Sequence, residues 1–136
     1  MDGESFSHQI AALPFRERRG RVDVLLVTTR DTRRWVIPKG WPMDGRKDYN
    51  AAKIEAFEEA GLEGKISKTP IGTFEYCKRL SSSESRQCRV DVYPLKVERL
   101  LRKWPEKGER WRHWFSIEAA AEVVSEEQLR ALILSL

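Results

Sequence analysis

Cysteine occurs only twice among the 136 residues, at Cys77 and Cys88. That is too few for a disulfide framework, and the pair lacks the clustering of a zinc site. No apolar run approaches the roughly 18 residues that a membrane-spanning helix needs. The opening Met1-Asp2-Gly3-Glu4-Ser5 has neither the basic start nor the apolar stretch of a secretory leader. Low-complexity tracts, internal repeats and linker-like segments are also missing. Histidine is scarce: His8 and His113 stand isolated, with no His/Glu pair at zinc spacing. Charge of neither sign dominates, since 25 basic and 21 acidic side chains leave +4. This is a mild bias towards anionic partners, below the density of a dedicated nucleic-acid binder. Secreted, membrane-spanning, collagen-like and disordered classes are excluded, which leaves a cytoplasmic protein with reduced thiols. The length suits one domain over residues 1–136.

With 40% hydrophobic and 34% charged residues, the chain can build one real core. Apolar runs alternate with helical patterns, the signature of a mixed α/β fold. Strands are expected at Gln9–Phe15, at the β-branched run Val22–Thr28, and at Trp35–Ile37, where Pro38 stops the strand. Arg30–Arg33 reads as a turn, and Pro38 to Asp48 as a loop. Asp48 is expected to cap a helix over Tyr49–Ala60 that ends on Gly61. Further strands are expected at Ile71–Cys77, Arg89–Val97 and Arg112–Phe115. Ser116 is expected to cap a short helix, and Ser125-Glu126-Glu127-Gln128 has capping-box spacing ahead of a last one. In that last helix Leu129, Leu132, Ile133 and Leu136 form a core-facing stripe.

The helix Tyr49–Ala60 carries Glu55, Glu58 and Glu59 at i, i+3 and i+4, so three carboxylates share one face. Each like-charged pair costs a few tenths of a kcal/mol. Glu58 and Glu59 also stand in the last turn, at the negative end of the helix dipole. No basic residue lies four positions ahead on that face. Two accounts fit: a solvated acidic face, or a site for a hard divalent cation such as Mg²⁺ or Mn²⁺, which takes oxygen ligands. Two features favour the second. Ala51, Ala52, Ala56 and Ala60 allow the helix a close approach to its neighbours, and a turn-rich loop precedes it.

Gly40 to Leu62 resembles the Nudix box, Gly, five residues, Glu, seven residues, Arg-Glu-apolar-any-Glu-Glu-any-Gly-apolar. Gly40, Glu55, Ala56, Glu58, Glu59, Gly61 and Leu62 match it; Arg46 stands in place of the first Glu and Ile54 in place of the Arg. The preceding Trp35-Val36-Ile37-Pro38-Lys39-Gly40-Trp41-Pro42 is similar to the branch of diphosphoinositol polyphosphate and diadenosine polyphosphate hydrolases. The resemblance implies a mixed β-sheet sandwiched between α-helices (α/β/α) and hydrolysis of a pyrophosphate bond with Mg²⁺ or Mn²⁺. It implies Glu58, Glu59 and the Lys39 backbone carbonyl as metal ligands, with Glu55 either a ligand or the base. In the family the box Arg helps to hold the catalytic carboxylates, which Ile54 cannot do. Some members take their base from a later loop, where Glu84, Glu106 and Glu109 are candidates.

A small polyphosphate or nucleotide substrate needs cations, and arginine can hold phosphate oxygens in a bidentate fork. Arg16, Arg18, Arg19 and Arg21 flank the second strand, Lys39 lies in the loop, and Arg86 and Arg89 precede a later strand. Arg46 joins them as a candidate phosphate contact. The expected substrate-binding set is Lys39, Arg16, Arg21, Arg46, Arg86 and Trp41. Among the five tryptophans, Trp41 beside the loop is the candidate stacking platform. Arg46 and Ile54 keep open a second function, a Nudix-fold module that binds a phosphorylated ligand without turning it over. A third, pyrophosphate removal from RNA 5′ ends, is permitted by the charge but not argued for by it.

Overall fold

Side-chain alternation along the central strand decides the architecture, which a computed structural model describes for residues 5–136. The expectation read from Met1–Ser5 rests mostly on residues 1–4, which lie outside the described residues. In β1 (Ser7–Arg18) Ile10 and Ala12 face one side of the sheet and Ala11 and Leu13 the other, all fully buried. β2 (Arg21–Thr28) keeps the same division, with Leu25 and Val27 on the first side and Val24 and Leu26 on the second. A sheet that is apolar on both faces has to be covered on both. α1 (Asp48–Ala60) covers the first through Ala51, Ala52, Ala56 and Ala60. α2 (Ile117–Val123) and α3 (Glu127–Leu134) cover the second through Ala120, Ala121, Leu129 and Ile133. The expected α/β/α sandwich is the observed one.

The sheet is mixed because β1 pairs antiparallel with β2 and parallel with β7 (Ser85–Leu100), from Ser7↔Cys88 to Phe15↔Lys96. Its path runs β3 (Trp35–Val36), β2, β1, β7, β5 (Leu62–Ile66). Three strands pair off that path: β4 (Lys39–Gly40) on β1, β6 (Gly72–Arg79) on β7, and β8 (Arg112–Ser116) on β2. β4 falls inside the expected loop and binds the N-terminal half of β1 through Ile10↔Gly40 and Ala11↔Lys39. β2 takes over the same edge from Phe15 onward. Pro14, which has no N–H to donate, sits where the edge changes partner.

Two expected caps are corrected. The N-cap of α1 is Lys47 without a side-chain cap bond; Asp48 is the first helical residue, and its Oδ2 lies 3.1 Å from His8 Nε2 on β1. A partner forty positions away in sequence thus displaces the local cap, and His8 is not isolated. At α3 the N-cap is Glu126, again without a cap bond, while the exposed Ser125 hydroxyl accepts from Arg34 Nη1 at 3.3 Å. Ser116 does cap α2, its Oγ accepting from the Ala119 N–H at 3.1 Å. Gly61 ends α1 in the left-handed region at φ 65°. Leu129 and Ile133 are buried with Leu132 beside them, as the stripe predicts, but α3 ends at Leu134, so Leu136 packs on the core from beyond the helix.

Candidate active site

β4 is only two residues long, yet it brings backbone against the acidic face of α1. At Gly40 a Cβ would overlap the Glu55 carboxyl group, so glycine is what permits the approach. One residue earlier, the Lys39 N–H donates to Glu59 Oε1 at 3.4 Å. Glu59 is only 7% exposed and therefore depends on its partners.

The last turn of α1 and its carboxylates find their partners in the segment between β7 and β8 and in Arg112, the first residue of β8. Trp104 Nε1 donates to the Glu59 carbonyl at 3.3 Å, and the Glu106 N–H to the Glu58 carbonyl at 3.0 Å. Arg112 Nη1 donates to the Ala60 carbonyl at 2.7 Å, closing the last turn of α1 with a cation. Arg110 lies against the carboxylates themselves, with Nη2 3.5 Å from Glu59 Oε2 and Nε donating to Glu106 Oε1 at 2.7 Å. The counter-charges missing from the acidic helix are supplied some fifty residues downstream.

Burial pushes the Glu55 carboxyl up to about 7, helped by the charges of Glu59 and Glu58. It pushes Glu59 up to about 7 as well, although Arg110 and Lys39 pull the other way. The Lys39 ammonium is driven down by burial, against the pull of Glu59 and Glu126, and its Nζ lies 5.0 Å from the centre of the Tyr76 ring.

These groups open on a cleft of about 610 Å³. Lys39, Gly40, Glu55 and Glu59 line it, with Trp41, Tyr76, Glu106 and Arg110 around them. Arg30, Arg34, Lys78 and Arg79 add a cationic border. Arg30 is paired with Glu109 and Arg34 with Glu126, whereas Lys78 and Arg79 carry no ion pair among the described residues.

Of the expected site residues, the structure brings Lys39, Trp41, Glu55 and Glu59 together. Glu58 is half-buried and does not line the cleft, although its charge reaches Glu55. The expected arginines lie elsewhere. Arg16 is held by Asp23 at 3.0 Å and stacked on Trp114 at 4.0 Å. Arg21 lines a separate hollow with Arg18, Arg19 and Asp23. Arg46 is exposed in the turn before α1, and Arg86 is exposed on β7, opposite Lys78. Of the three later acids, Glu106 lines the cleft, Glu109 faces Arg30, and Glu84 sits in the turn between β6 and β7. Sequence reasoning missed Arg30, Arg34, Lys78, Arg79 and Arg110. The only local signal was basic density at residues 30–34 and 78–79, which many surfaces share.

Among the described residues, His8, Asp48 and Asp91 are the group whose ligand atoms all approach within 4.8 Å. Asp48 stands seven positions before Glu55, about 10 Å along the helix axis, so this cluster is apart from the cleft. The carboxylate oxygens of Glu55, Glu58 and Glu59 do not draw together so closely. Nevertheless the cleft suits a hard cation. Two carboxyl groups carry a burial cost that Arg110 and Lys39 offset only in part, and the missing Cβ of Gly40 leaves backbone beside Glu55.

Within an α/β/α sandwich, then, a buried Glu59 and a half-buried Glu55 on one helix face a cleft with a cationic border. No family model matches the chain. Bovine diphosphoinositol polyphosphate phosphohydrolase 3-beta is 34% identical over 125 residues, 90% of this chain and 72% of that protein. The mitochondrial Nudix hydrolase 12 of Arabidopsis thaliana is 32% identical over 113 residues; these are 81% of this chain but only 56% of that longer protein. Among solved structures, the Ap4A hydrolase of C. elegans superposes with a TM-score of 0.68 at 18% identity, covering 96% of this chain and 95% of its own. The E. coli dihydroneopterin triphosphate pyrophosphohydrolase gives 0.72 at 17% identity, covering 98% and 97%. The chain belongs to the Nudix hydrolase family.

Proposed function

We propose that this chain, acting as one domain over residues 1–136, hydrolyses a pyrophosphate bond in a polyphosphorylated small molecule with Mg²⁺ or Mn²⁺. The observation that carries the reading is the placement of Glu55 and Glu59 in a single cleft beneath Arg30, Arg34, Lys78 and Arg79. A diphosphoinositol polyphosphate stands ahead of a diadenosine polyphosphate as substrate. The border is rich in cations, and the mammalian relative is named for that substrate. One exposed aromatic, Trp41 at 42%, offers a single stacking surface where a dinucleotide has two bases.

Glu55, Glu59 and the Lys39 carbonyl would hold the cation, which when bound neutralises pyrophosphate oxygens and lowers the pKa of water. The chain's own groups do the rest. Lys78 and Arg79, which carry no ion pair among the described residues, can take phosphate oxygens, and Arg30 and Arg34 can exchange their present carboxylate partners for them. Glu106, or Glu55 where it does not itself hold the cation, is the carboxylate that can accept a proton from the attacking water. Glu58 acts from the second rank, through its charge on Glu55. Cytoplasmic residence belongs to the same proposal and is supported by two unpaired thiols, the exposed Cys77 and the buried Cys88. No helix among the described residues is long and apolar enough to cross a membrane.

The test is phosphate or pyrophosphate release from diphosphoinositol phosphates, dinucleoside polyphosphates, nucleoside triphosphates and nucleotide sugars, each with Mg²⁺, Mn²⁺ or chelator. Glu59→Gln should lower kcat at least about tenfold, roughly 1.4 kcal/mol of transition-state stabilisation. Turnover that survives both chelation and this substitution would refute the reading. Ligand binding without turnover, unaffected by chelator, would favour the binding module that Arg46 and Ile54 leave open.

A further inference from the structure

We infer that Arg110 is the positioning residue that holds Glu59 in place of an arginine at position 54, so that the altered Nudix box is completed from another part of the chain. The inference rests on the hydrolase reading above and adds to it the residue that keeps the carboxylate aimed. Ile54, half-buried on α1, has no polar group to offer the acidic face. Arg110 is itself nearly buried, its side chain 11% exposed, and every polar arm of its guanidinium is engaged. Nη1 donates to the Thr28 carbonyl at 3.1 Å, at the end of β2. Nε donates to Glu106 at 2.7 Å, and Nη2 faces Glu59 Oε2 at 3.5 Å.

The anchor is rigid on the far side too. Thr28 is 1% exposed; its N–H donates to the Trp111 carbonyl at 3.1 Å, and its hydroxyl accepts from the Trp111 N–H at 2.9 Å. Arg110 is therefore fixed between the sheet and the carboxylates by its guanidinium contacts and by the backbone bonds of the adjoining Trp111. A planar fork held in this way restricts where the Glu59 oxygens can go, which an exposed surface lysine does not do. Lys39 N–H constrains the other oxygen, Oε1. Together they leave the Glu59 carboxylate little rotational freedom, as a preorganised ligand requires.

The experiment compares wild type, Arg110→Ala, Arg110→Lys and the double variant Ile54→Arg/Arg110→Ala. Mn²⁺ affinity is followed by electron paramagnetic resonance, kcat and KM on the best substrate, and Tm in chelator. Positioning predicts that Arg110→Ala weakens Mn²⁺ binding several-fold and lowers kcat at least tenfold with KM within about threefold. Arg110→Lys should fall between it and wild type. Ile54→Arg, one turn ahead of Glu58 and adjacent to Glu55, should recover a substantial part of both losses. It cannot rebuild the bonds to Thr28, so recovery separates a role towards the carboxylates from a role in the framework. Mn²⁺ affinity that is unchanged in Arg110→Ala, or tighter because a positive charge has gone, would overturn the inference. So would losses that the double variant fails to recover at wild-type Tm. If no substrate is turned over by wild type, the hydrolase reading fails, and the Mn²⁺ comparison still decides the place of Arg110.

Discussion

Gly40 matters for what it lacks. Its missing Cβ lets the β4 backbone lie against Glu55, and the atoms a methyl would meet are the end of a flexible side chain rather than backbone. Gly40→Ala should therefore cost little stability, because the carboxyl group can swing aside, yet it should displace the carboxylate from the cleft. We expect a Tm within about 3 °C of wild type, corresponding to less than about 1 kcal/mol, together with Mn²⁺ binding at least threefold weaker. Wild-type Mn²⁺ affinity in this variant would show that Glu55 does not need its present position. Gly61 is a different case. It holds φ 65° with the Trp104 ring where a Cβ would be, so backbone strain and steric overlap act together there.

At the scale of elements, the caps show what local pattern can and cannot reveal. Ser116 and Ser125 both precede short helices, and both read as caps. Only Ser116 makes the bond. Ser116→Ala should lower stability by about 1 kcal/mol, a Tm drop of several degrees in a thermal melt, whereas Ser125→Ala should stay within about 0.5 kcal/mol. Equal losses at the two serines would contradict the cap assignment. The strands tell a similar story. β2, β6 and β7 are eight residues or longer and were legible from their apolar runs, although β7 extends beyond both expected ends. β4 and β5 were not. β4 has two residues and no side-chain pattern, and β5 carries glycine and two charged residues within Leu62–Ile66. Such segments become strands because an edge of β1 or β7 is available to pair with them, a tertiary cause that no local window contains.

Across the whole molecule, the acidic helix face was readable in the sequence while its compensation was not. Glu55, Glu58 and Glu59 fall on one face by helical spacing alone. Arg110, Arg112 and Glu106 reach that face only because β8 pairs with β2 and carries the preceding segment onto the C-terminal turn of α1. The burial of the glutamates then couples the site to global stability. Without bound metal, Glu59 holds a proton in the folded state up to about pH 7, whereas an ordinary glutamate releases it near 4.5. Between those values the folded chain carries more protons than the unfolded one, so this group's contribution to stability falls as pH rises and levels off above about 7. Glu55 acts in the same direction, in part through the charge of Glu59. In chelator, Glu59→Gln should therefore gain on wild type as pH rises from 5 to 7.5. The relative gain should be at most about 3 kcal/mol, read as a Tm difference that widens over this interval. Saturating Mg²⁺ should close that gap at pH 7.5 by stabilising wild type alone, since ligand binding to the folded state adds directly to its stability. A Tm difference that stays flat from pH 5 to 7.5 would mean that Glu59 ionises as an ordinary surface carboxylate, and the charge balance derived for the cleft would be wrong.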